Sequence, residues 1–274
     1  MLEHWLKLAI NASPQAILAR EKGRIPVDLL KTGLAEEWIA ETAVSGPYYV
    51  HFPLGVGPAG VINFDHPEPK WDWIGRLFDE CESEFANLHI VFREEWFGNN
   101  CSVDQYIDCC RKAILELADR FGIEKVIIEN SVARADACET ERVSTLGEFF
   151  CQVVSETGCG LLLDSAHLKI TCIENVLDFR EELMRFPLHA LREWHITGVG
   201  LKPGGELLYD SLPMTDDDWE CTAFVAAAIR HGHAARPEIV AIEYGGFGEN
   251  FEWRSDMDEI IRSCRGVRTI LDVI

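Results

Sequence analysis

Short runs of apolar residues, each ended by a polar one, alternate along the chain with stretches of helical periodicity. The clearest run is Gly160-Leu161-Leu162-Leu163-Asp164, in which three leucines lead directly into an acid and His167 follows three residues later. An unbroken apolar run of this length is typical of a strand that is buried on both faces of a parallel sheet. Similar runs predict strands at residues 5–11, 25–30, 47–52, 85–91, 125–130, 160–164, 191–196 and 238–243.

The segments between these strands carry helix signals. The pair Ser13-Pro14 is a favourable helix start, and Ser102 and Thr215 are suitable N-caps for the helices that follow them. Helices are predicted at residues 35–43, 71–84, 102–121, 144–157, 173–186, 215–231 and 256–265, and loops at residues 55–60 and 203–210.

About eight strand–helix units follow one another without a linker or a low-complexity segment, and this alternation predicts a single (β/α)8 TIM-barrel domain over residues 1–274. A length of 274 residues with 47% hydrophobic content is enough for a full core. An open, doubly wound sheet is the alternative fold. The glycine-rich segments 55–60 and 245–248 do not have the GxGxxG spacing of a dinucleotide site.

Composition narrows the class of ligand. A formal net charge of -21 disfavours nucleic acid and anionic membranes, and no apolar stretch is long enough to span a bilayer. The first ten residues do not resemble a secretory signal. Ten cysteines are present without a CxxC pair, so we interpret them as reduced, mostly buried side chains. These features predict a cytoplasmic protein that binds neither nucleic acid nor membrane.

The predicted strand ends share one chemical property, since most of them carry a histidine or a carboxylate side chain. In a TIM barrel the carboxyl ends of the strands converge on the face that carries the active site. Nitrogen and carboxylate donors of this kind suit iron, manganese or zinc, and their number exceeds the need of a single ion. Each has a plain structural explanation, such as a helix cap for Asp164, but ionisable groups at nearly every strand end are costly to bury. The strand ends carry His51, His89, Glu129, Asp164, His195 and Glu243, and His167 and Asp210 lie just beyond.

Four segments at these positions resemble the multinuclear non-haem iron-dependent oxidative enzymes. The segments are Ile128-Glu129-Asn130, residues 162–167, residues 193–198 and Ile242-Glu243-Tyr244. Enzymes of that family are xylose-isomerase-like TIM barrels that modify ribosomally made peptides, often at cysteine, together with a partner protein that presents the peptide. The resemblance implies iron ligands at His51, His89, Glu129, Asp164, His167, His195, Asp210 and Glu243, with Glu129 or Glu243 as a bridge and a catalytic role for Glu129, Asp164, His195 and Glu243.

One position departs from the family pattern. A histidine ligand typically follows the loop acid by two residues, and here Leu212 stands in that place after Asp210. Leucine cannot bind a metal ion. We therefore expect two firmly held irons and a third that is weak or absent.

Two other functions fit the same residues. A divalent-metal sugar isomerase or epimerase of the xylose-isomerase-like class would use Glu129, Asp164, His195 and Glu243 with manganese, zinc or magnesium. A non-catalytic homologue that binds a metal or a peptide is the third hypothesis. Metal content separates these hypotheses. Trp96, Phe97 and the loop 245–248 are predicted to border the pocket.

Overall fold

The computed structural model describes residues 6–66, 68–98, 100–202 and 204–274. The strands are β1 (Lys7–Asn11), β2 (Leu29–Thr32), β3 (Tyr48–Val50), β4 (Leu54–Gly57), β5 (Gly60–Asn63), β6 (Ala86–Ile90), β7 (Val126–Asn130), β8 (Gly160–Asp164), β9 (Leu191–Ile196), β10 (Gly198–Leu201), β11 (Leu208–Leu212) and β12 (Ile239–Ile242). The helices are α1 (Pro14–Glu21), α2 (Glu36–Ala43), α3 (Trp71–Glu80), α4 (Glu94–Phe97), α5 (Val103–Phe121), α6 (Glu139–Val143), α7 (Gly147–Thr157), α8 (Ser165–Asn175), α9 (Phe179–Leu183), α10 (Asp216–Arg230) and α11 (Met257–Leu271).

The parallel strands form a closed barrel. Their hydrogen-bonded order is β3-β2-β1-β12-β9-β8-β7-β6, and β4 pairs with β6 through Gly55 and His89. Only residues 51–53 separate β4 from β3 at the opposite edge. One continuous segment therefore joins the two edges of the sheet, which is the closure that a TIM barrel requires. The predicted barrel is confirmed.

Two hydrophobic clusters hold the barrel. The outward-facing strand residues, such as Leu88, Leu163 and Trp194, pack with the helices in one large core. A smaller cluster fills the barrel interior and contains Ala9, Leu29, Tyr49, Phe85, Ile127, Leu162, Ile239 and Ala241. The interior is thus a packed core, and its polar groups are concentrated toward the carboxyl ends of the strands.

Two predicted strands begin later than expected. The strand predicted at 25–30 is β2, Leu29–Thr32, because Pro26 has no amide hydrogen for the ladder. Lys31 consequently lies inside the strand. The first strand begins at Lys7, and Trp5, where we predicted its start, lies outside the described residues.

The two predicted loops are shorter than expected, because each is only the turn of a hairpin. Residues 54–63 form the hairpin β4–β5, in which Gly57 pairs with Gly60. The φ angle of Gly60 is 145°, a conformation that glycine adopts without strain. The segment predicted as a loop at 203–210 lies within the hairpin β10–β11, which brings Asp210 into a strand; Pro203 is outside the described residues.

Several helix limits also differ from prediction. The helix after Asp164 begins at once, at Ser165, so the predicted helix 173–186 is instead the end of α8 followed by α9. The predicted 144–157 segment is α7 from Gly147, preceded by α6. The helix α5 and its Ser102 capping box confirm the prediction for 102–121. No helix in the described ranges has the length and apolarity needed to cross a membrane.

Candidate metal centre at the barrel mouth

Strand periodicity explains which side chains enter the barrel mouth. Residues two apart on a strand share a face, so each interior residue is followed two positions later by another interior residue. The lower layer contains Leu29, Tyr49, Asn87, Ile127, Leu162, Glu193 and Ala241. The positions two residues further along are Lys31, His51, His89, Glu129, Asp164, His195 and Glu243, which form the mouth layer.

His51, His89 and Glu129 form the first group of the mouth layer. Glu129 Oε2 lies 2.9 Å from His89 Nδ1 and 3.3 Å from His51 Nε2. The amide of Asn87 accepts a hydrogen bond from Phe52 N and donates one to Phe52 O, each 2.8 Å long. This anchored amide lies 3.2 Å from His51 Nε2 and thereby limits the rotation of the ring.

Asp164 serves two purposes with its two oxygens. Oδ1 accepts hydrogen bonds from the backbone amides of Ala166 and His167, both 2.8 Å long, and so caps α8. Oδ2 is buried and has no hydrogen-bond partner among the described residues. Asn130 fixes the backbone of Asp164 through two hydrogen bonds of 2.8 and 2.9 Å. The cap therefore uses one oxygen of Asp164 and leaves the other available to a metal ion.

His167 points from the first turn of α8 toward the same centre. Its Nδ1 lies 2.8 Å from Asn130 O, to which it donates in the neutral ring, and 3.6 Å from Asp164 Oδ2. Its Nε2 lies 3.2 Å from Asp210 Oδ2.

An irregularity in β11 aims Asp210 at His167. The pairing of β10 with β11 shifts register between Gly198 and Gly200, and Ser211 has a φ angle of 59° in the left-handed region. Bulges of this kind redirect side chains beside functional sites. Leu212, at the end of β11, brings no donor atom to this group.

His195 is fully buried at the centre of the site. Its Nε2 lies 2.8 Å from Glu193 Oε1, which also accepts a 2.7 Å hydrogen bond from the Tyr49 hydroxyl. Its Nδ1 lies 3.2 Å from Glu243 Oε1 and 3.9 Å from Asp164 Oδ2. Glu193 and Tyr49 thus orient the ring so that Nδ1 faces the carboxylates.

Lys31 brings a cation into this layer that we did not predict. Its ammonium forms an ion pair with Glu243 Oε1 and lies 3.3 Å from His195 Nε2. The side chain of Lys31 is only 4% exposed. The period-two rule would have found it, since Lys31 follows the interior residue Leu29 by two positions.

The eight predicted ligands do lie together, and the residues fit a metal ion. Seven form one continuous cluster of contacts, and Asp210 joins it through His167. The buried oxygen Asp164 Oδ2 has no hydrogen-bond partner among the described residues, which is costly unless a cation faces it. Glu129 Oε2 faces only the ring nitrogens of His51 and His89, which are themselves metal donors. Among the described residues, four sets of three side chains have donor atoms close enough together to hold one ion. These donor groups are His51–His89–Glu129, His51–Glu193–His195, Glu129–Asp164–His167 and Asp164–His195–Glu243.

Burial and charge perturb the carboxylates. Burial, together with the carboxylates of Glu243 and Glu129, raises the pKa of Asp164 to about 7 against the opposing pull of His167 and His195. Burial also opposes ionisation of Glu243, but the Lys31 ammonium and His195 outweigh it and lower the Glu243 pKa. The site therefore holds more negative charge than its own cations balance, a condition that a divalent ion relieves.

Two histidines are shifted in opposite directions. Burial and the Lys31 ammonium lower the pKa of His51 to about 4, which leaves the ring neutral and able to bind a metal. Burial and Lys31 also act to lower the pKa of His195, but Glu243 and the other nearby glutamates raise it to about 10. A metal ion at His195 would thus take the place of a proton.

Two clefts open at the barrel mouth. The larger has a volume of about 680 Å³ and reaches His51 and His89 between the aromatic side chains of Trp38, Phe64 and Trp73. The smaller, of about 190 Å³, lies beside Lys31 and Glu243 and shares Trp38 and His51 with the first. The donor cluster is therefore reachable from solvent through an aromatic-walled cleft.

Of the residues predicted to border the pocket, those of the loop 245–248 lie at a cleft, whereas Trp96 and Phe97 lie behind or away from it. Gly245, Gly246 and Phe247 line the smaller cleft. Trp96 stacks on Phe64 with ring centroids 5.9 Å apart, behind the larger cleft. Phe97 instead packs against the core aromatics Phe92 and Tyr106, because α4 turns it inward.

Comparison with solved structures identifies the fold. A D-tagatose 3-epimerase-like protein is 12% identical with a TM-score of 0.56, and the match covers 97% of both chains. A xylose isomerase-like TIM barrel/4-hydroxyphenylpyruvate dioxygenase fusion protein is 11% identical with a TM-score of 0.59, over 97% of this chain and 42% of the other. At such low identity the likeness shows the fold alone, which is a xylose-isomerase-like TIM barrel.

Sequence comparisons identify relatives. The UPF0276 protein of Bordetella pertussis is 27% identical over 161 residues, which are 56% of this chain and 48% of that protein, and the UPF0276 protein of Bordetella parapertussis matches equally well. The chain thus spans about half the length of the curated relatives it matches. Residues 103–234 match the family described as RiPP precursor modification enzyme MbnB/TglH/ChrH, in a segment that contains Glu129, Asp164, His167, His195 and Asp210. The resemblance seen in the sequence is confirmed over residues 103–234, where this chain is similar to the MbnB/TglH/ChrH RiPP precursor modification enzymes.

Proposed function

We propose that this protein is an iron-dependent oxidative enzyme that modifies a ribosomally made precursor peptide at cysteine. The observation that supports it most is the convergence of His51, His89, Glu129, Asp164 and His195 beside one aromatic-walled cleft, where the buried Asp164 Oδ2 has no hydrogen-bond partner in the described part of the chain. The match to a family of RiPP precursor modification enzymes supports the peptide as substrate.

The donor groups divide into overlapping sets. His51, His89 and Glu129 would hold one ion, and Asp164, His195 and Glu243 a second. Glu129 Oε2 faces the two histidines and Oε1 lies 3.7 Å from His195 Nδ1, so this carboxylate can serve both ions. A third ion at His167 and Asp210 would be weak, since Leu212 offers no donor.

When bound, iron supplies electron transfer with dioxygen and a coordination position for a substrate thiolate. The chain supplies binding and orientation. Trp38, Phe64 and Trp73 give the cleft apolar walls that can hold a peptide and exclude water from the reacting sulfur. Neutral His51, its pKa lowered to about 4, remains a ligand across the physiological pH range. By the family resemblance, a partner protein would present the peptide.

The test is metal analysis and dioxygen consumption of protein loaded anaerobically with Fe²⁺, with a cysteine-containing precursor peptide and its presenting partner as substrates. Asp164→Asn is the informative variant, because asparagine keeps one oxygen for the α8 cap and loses the charge. Asp178→Asn is the matched control, since Asp178 caps α9 in the same way and lies outside the donor groups. We expect about two irons per chain and peptide-dependent dioxygen uptake in the parent protein and in Asp178→Asn. The dioxygen uptake should be lost in Asp164→Asn, and unchanged turnover in that variant contradicts the proposal.

The second candidate is a divalent-metal sugar isomerase or epimerase. It draws support from the closeness of Glu129, Asp164, His195 and Glu243, with His195 Nδ1 3.2 Å from Glu243 and 3.7 Å from Glu129. The same metal analysis separates the two functions. One manganese, zinc or magnesium ion and turnover of a ketose would favour isomerisation, and the absence of any tightly bound metal would favour a non-catalytic homologue.

A further inference from the structure

A lysine lies inside the donor set, although lysine is not a ligand that the metal centre needs. Lys31 reaches the mouth layer from β2, and its ammonium pairs with Glu243 Oε1. It also lies 3.3 Å from Nε2 and 3.5 Å from Nδ1 of His195. Because its side chain is 4% exposed, water does little to screen this charge.

The contacts of Lys31 fall on one side of the centre. Glu243 and His195 both belong to the donor group Asp164–His195–Glu243. Within the described residues, no hydrogen bond or ion pair joins Lys31 to His89, Glu129 or Asp164. The donor group His51–His89–Glu129 can therefore take an ion without displacing the ammonium.

We propose that Lys31 is a built-in competing cation, which weakens the ion held by Asp164, His195 and Glu243 and makes the centre fill in a fixed order. This inference rests on the proposed metal centre. An ion at that group must take Glu243 Oε1 from the ammonium and then tolerate a second positive charge nearby, at a depth where charges interact strongly. The ion at His51, His89 and Glu129 binds first.

The experiment is an anaerobic Co²⁺ titration of the full chain, followed by visible absorbance and calorimetry, with the affinity of each ion determined separately. Lys31→Met removes the cation, and Lys31→Gln removes it while keeping a hydrogen-bond donor for Glu243. Lys31→Arg keeps the charge. Lys7→Met is the matched control, since Lys7 is a strand lysine that pairs with Glu82 and Glu84. It lies at the first residue of β1, at the end of the barrel opposite the mouth. Circular dichroism checks that each variant is folded.

The expected result is that Lys31→Met and Lys31→Gln bind the second ion about tenfold or more tightly. The affinity of the first ion should change much less, because Lys31 acts on His51 through its charge alone. Lys31→Arg and Lys7→Met should match the parent protein. A second ion that binds with the same or lower affinity in Lys31→Met and Lys31→Gln overturns the role of Lys31. If the parent protein binds two ions in that case, the proposed metal centre stands; if neither the parent protein nor any variant binds an ion, both proposals fail. If Lys31→Met does not fold, Lys31→Gln decides.

Discussion

Replacing Asp164 by asparagine should stabilise the metal-free protein at pH 8 while it reduces the stabilisation that added metal gives. The reason lies in the two oxygens of Asp164. Oδ1 caps α8, which asparagine can do equally well, whereas Oδ2 is buried without a hydrogen-bond partner in the described part of the chain. The carboxylate charge is thus a cost that the fold carries unless a cation is bound.

The magnitude follows from the pKa of this group. A carboxyl whose pKa rises from 3.8 to about 7 on folding costs the metal-free protein about 4 kcal/mol when it is ionised. The sign is that of an acid with a raised folded pKa: the folded state binds more protons between pH 4 and 7, so stability falls across this window as pH rises. The amide group of asparagine is buried in its place and costs about 1–3 kcal/mol, which offsets part of this gain. We expect a net gain of about 1–3 kcal/mol at pH 8, or a rise in Tm of about 2–6 °C.

The assay is thermal unfolding of chelator-treated protein at pH 5 and pH 8, with and without added Mn²⁺. At pH 5 the carboxyl is protonated in the folded parent protein, so the advantage of Asp164→Asn should disappear. Asp164→Ala should be less stable than Asp164→Asn by about 1 kcal/mol, because alanine removes the cap. The reasoning is refuted if metal-free Asp164→Asn is less stable than the parent protein at pH 8, or if it keeps the full metal-induced rise in Tm.

Three further predictions concern other parts of the molecule. Leu212→His should restore a donor beside Asp210 and raise the metal content by about one ion per chain in elemental analysis, against an unchanged Leu208→His control. Gly60→Ala should lower stability by about 1–3 kcal/mol in chemical denaturation, because φ is 145° and a Cβ would lie 2.4 Å from Glu116 Oε2; Gly23→Ala, which also has positive φ but no neighbour within 4 Å, should cost less. The pKa of His195 is raised to about 10, so the stabilisation of metal-free protein by its charged ring should be complete below pH 6.5 and lost as pH rises through about 10. The measurement is the free energy of unfolding against pH for the parent protein and His195→Gln. Equal slopes of the two curves between pH 6.5 and 10 would disprove the raised pKa of His195.

Much of the barrel was predictable from local patterns. Buried parallel strands require continuous apolar runs, so residues such as Leu161, Leu162 and Leu163 identify a central strand without knowledge of its neighbours. A polar residue at the end of such a run has few places to lie except the mouth. The positions of His89, Glu129 and Asp164 were therefore predictable, although their role as ligands stays a prediction.

Glycine-rich segments were misleading because glycine marks both loops and tight hairpins. The hairpin β4–β5 has buried apolar residues at Leu54, Val56 and Val61, but its strands are too short for a periodic signal. The early start of α8 was also missed. Asp164 was weighed as either cap or ligand, whereas separate oxygens allow it to be both.

The sequence by itself determined the α/β alternation, the barrel and the donor types at the strand ends, because strand burial and period-two alternation act within a few residues of chain. Only the tertiary structure decided which side chains share the centre. Lys31 meets Glu243 across 212 positions of sequence, and Tyr49 reaches Glu193 across 144. Asp210 turns toward His167 through an irregularity in β11 that depends on pairing with β10. Charge balance in a buried site is a property of distances between remote residues, and those distances are set when the sheet closes.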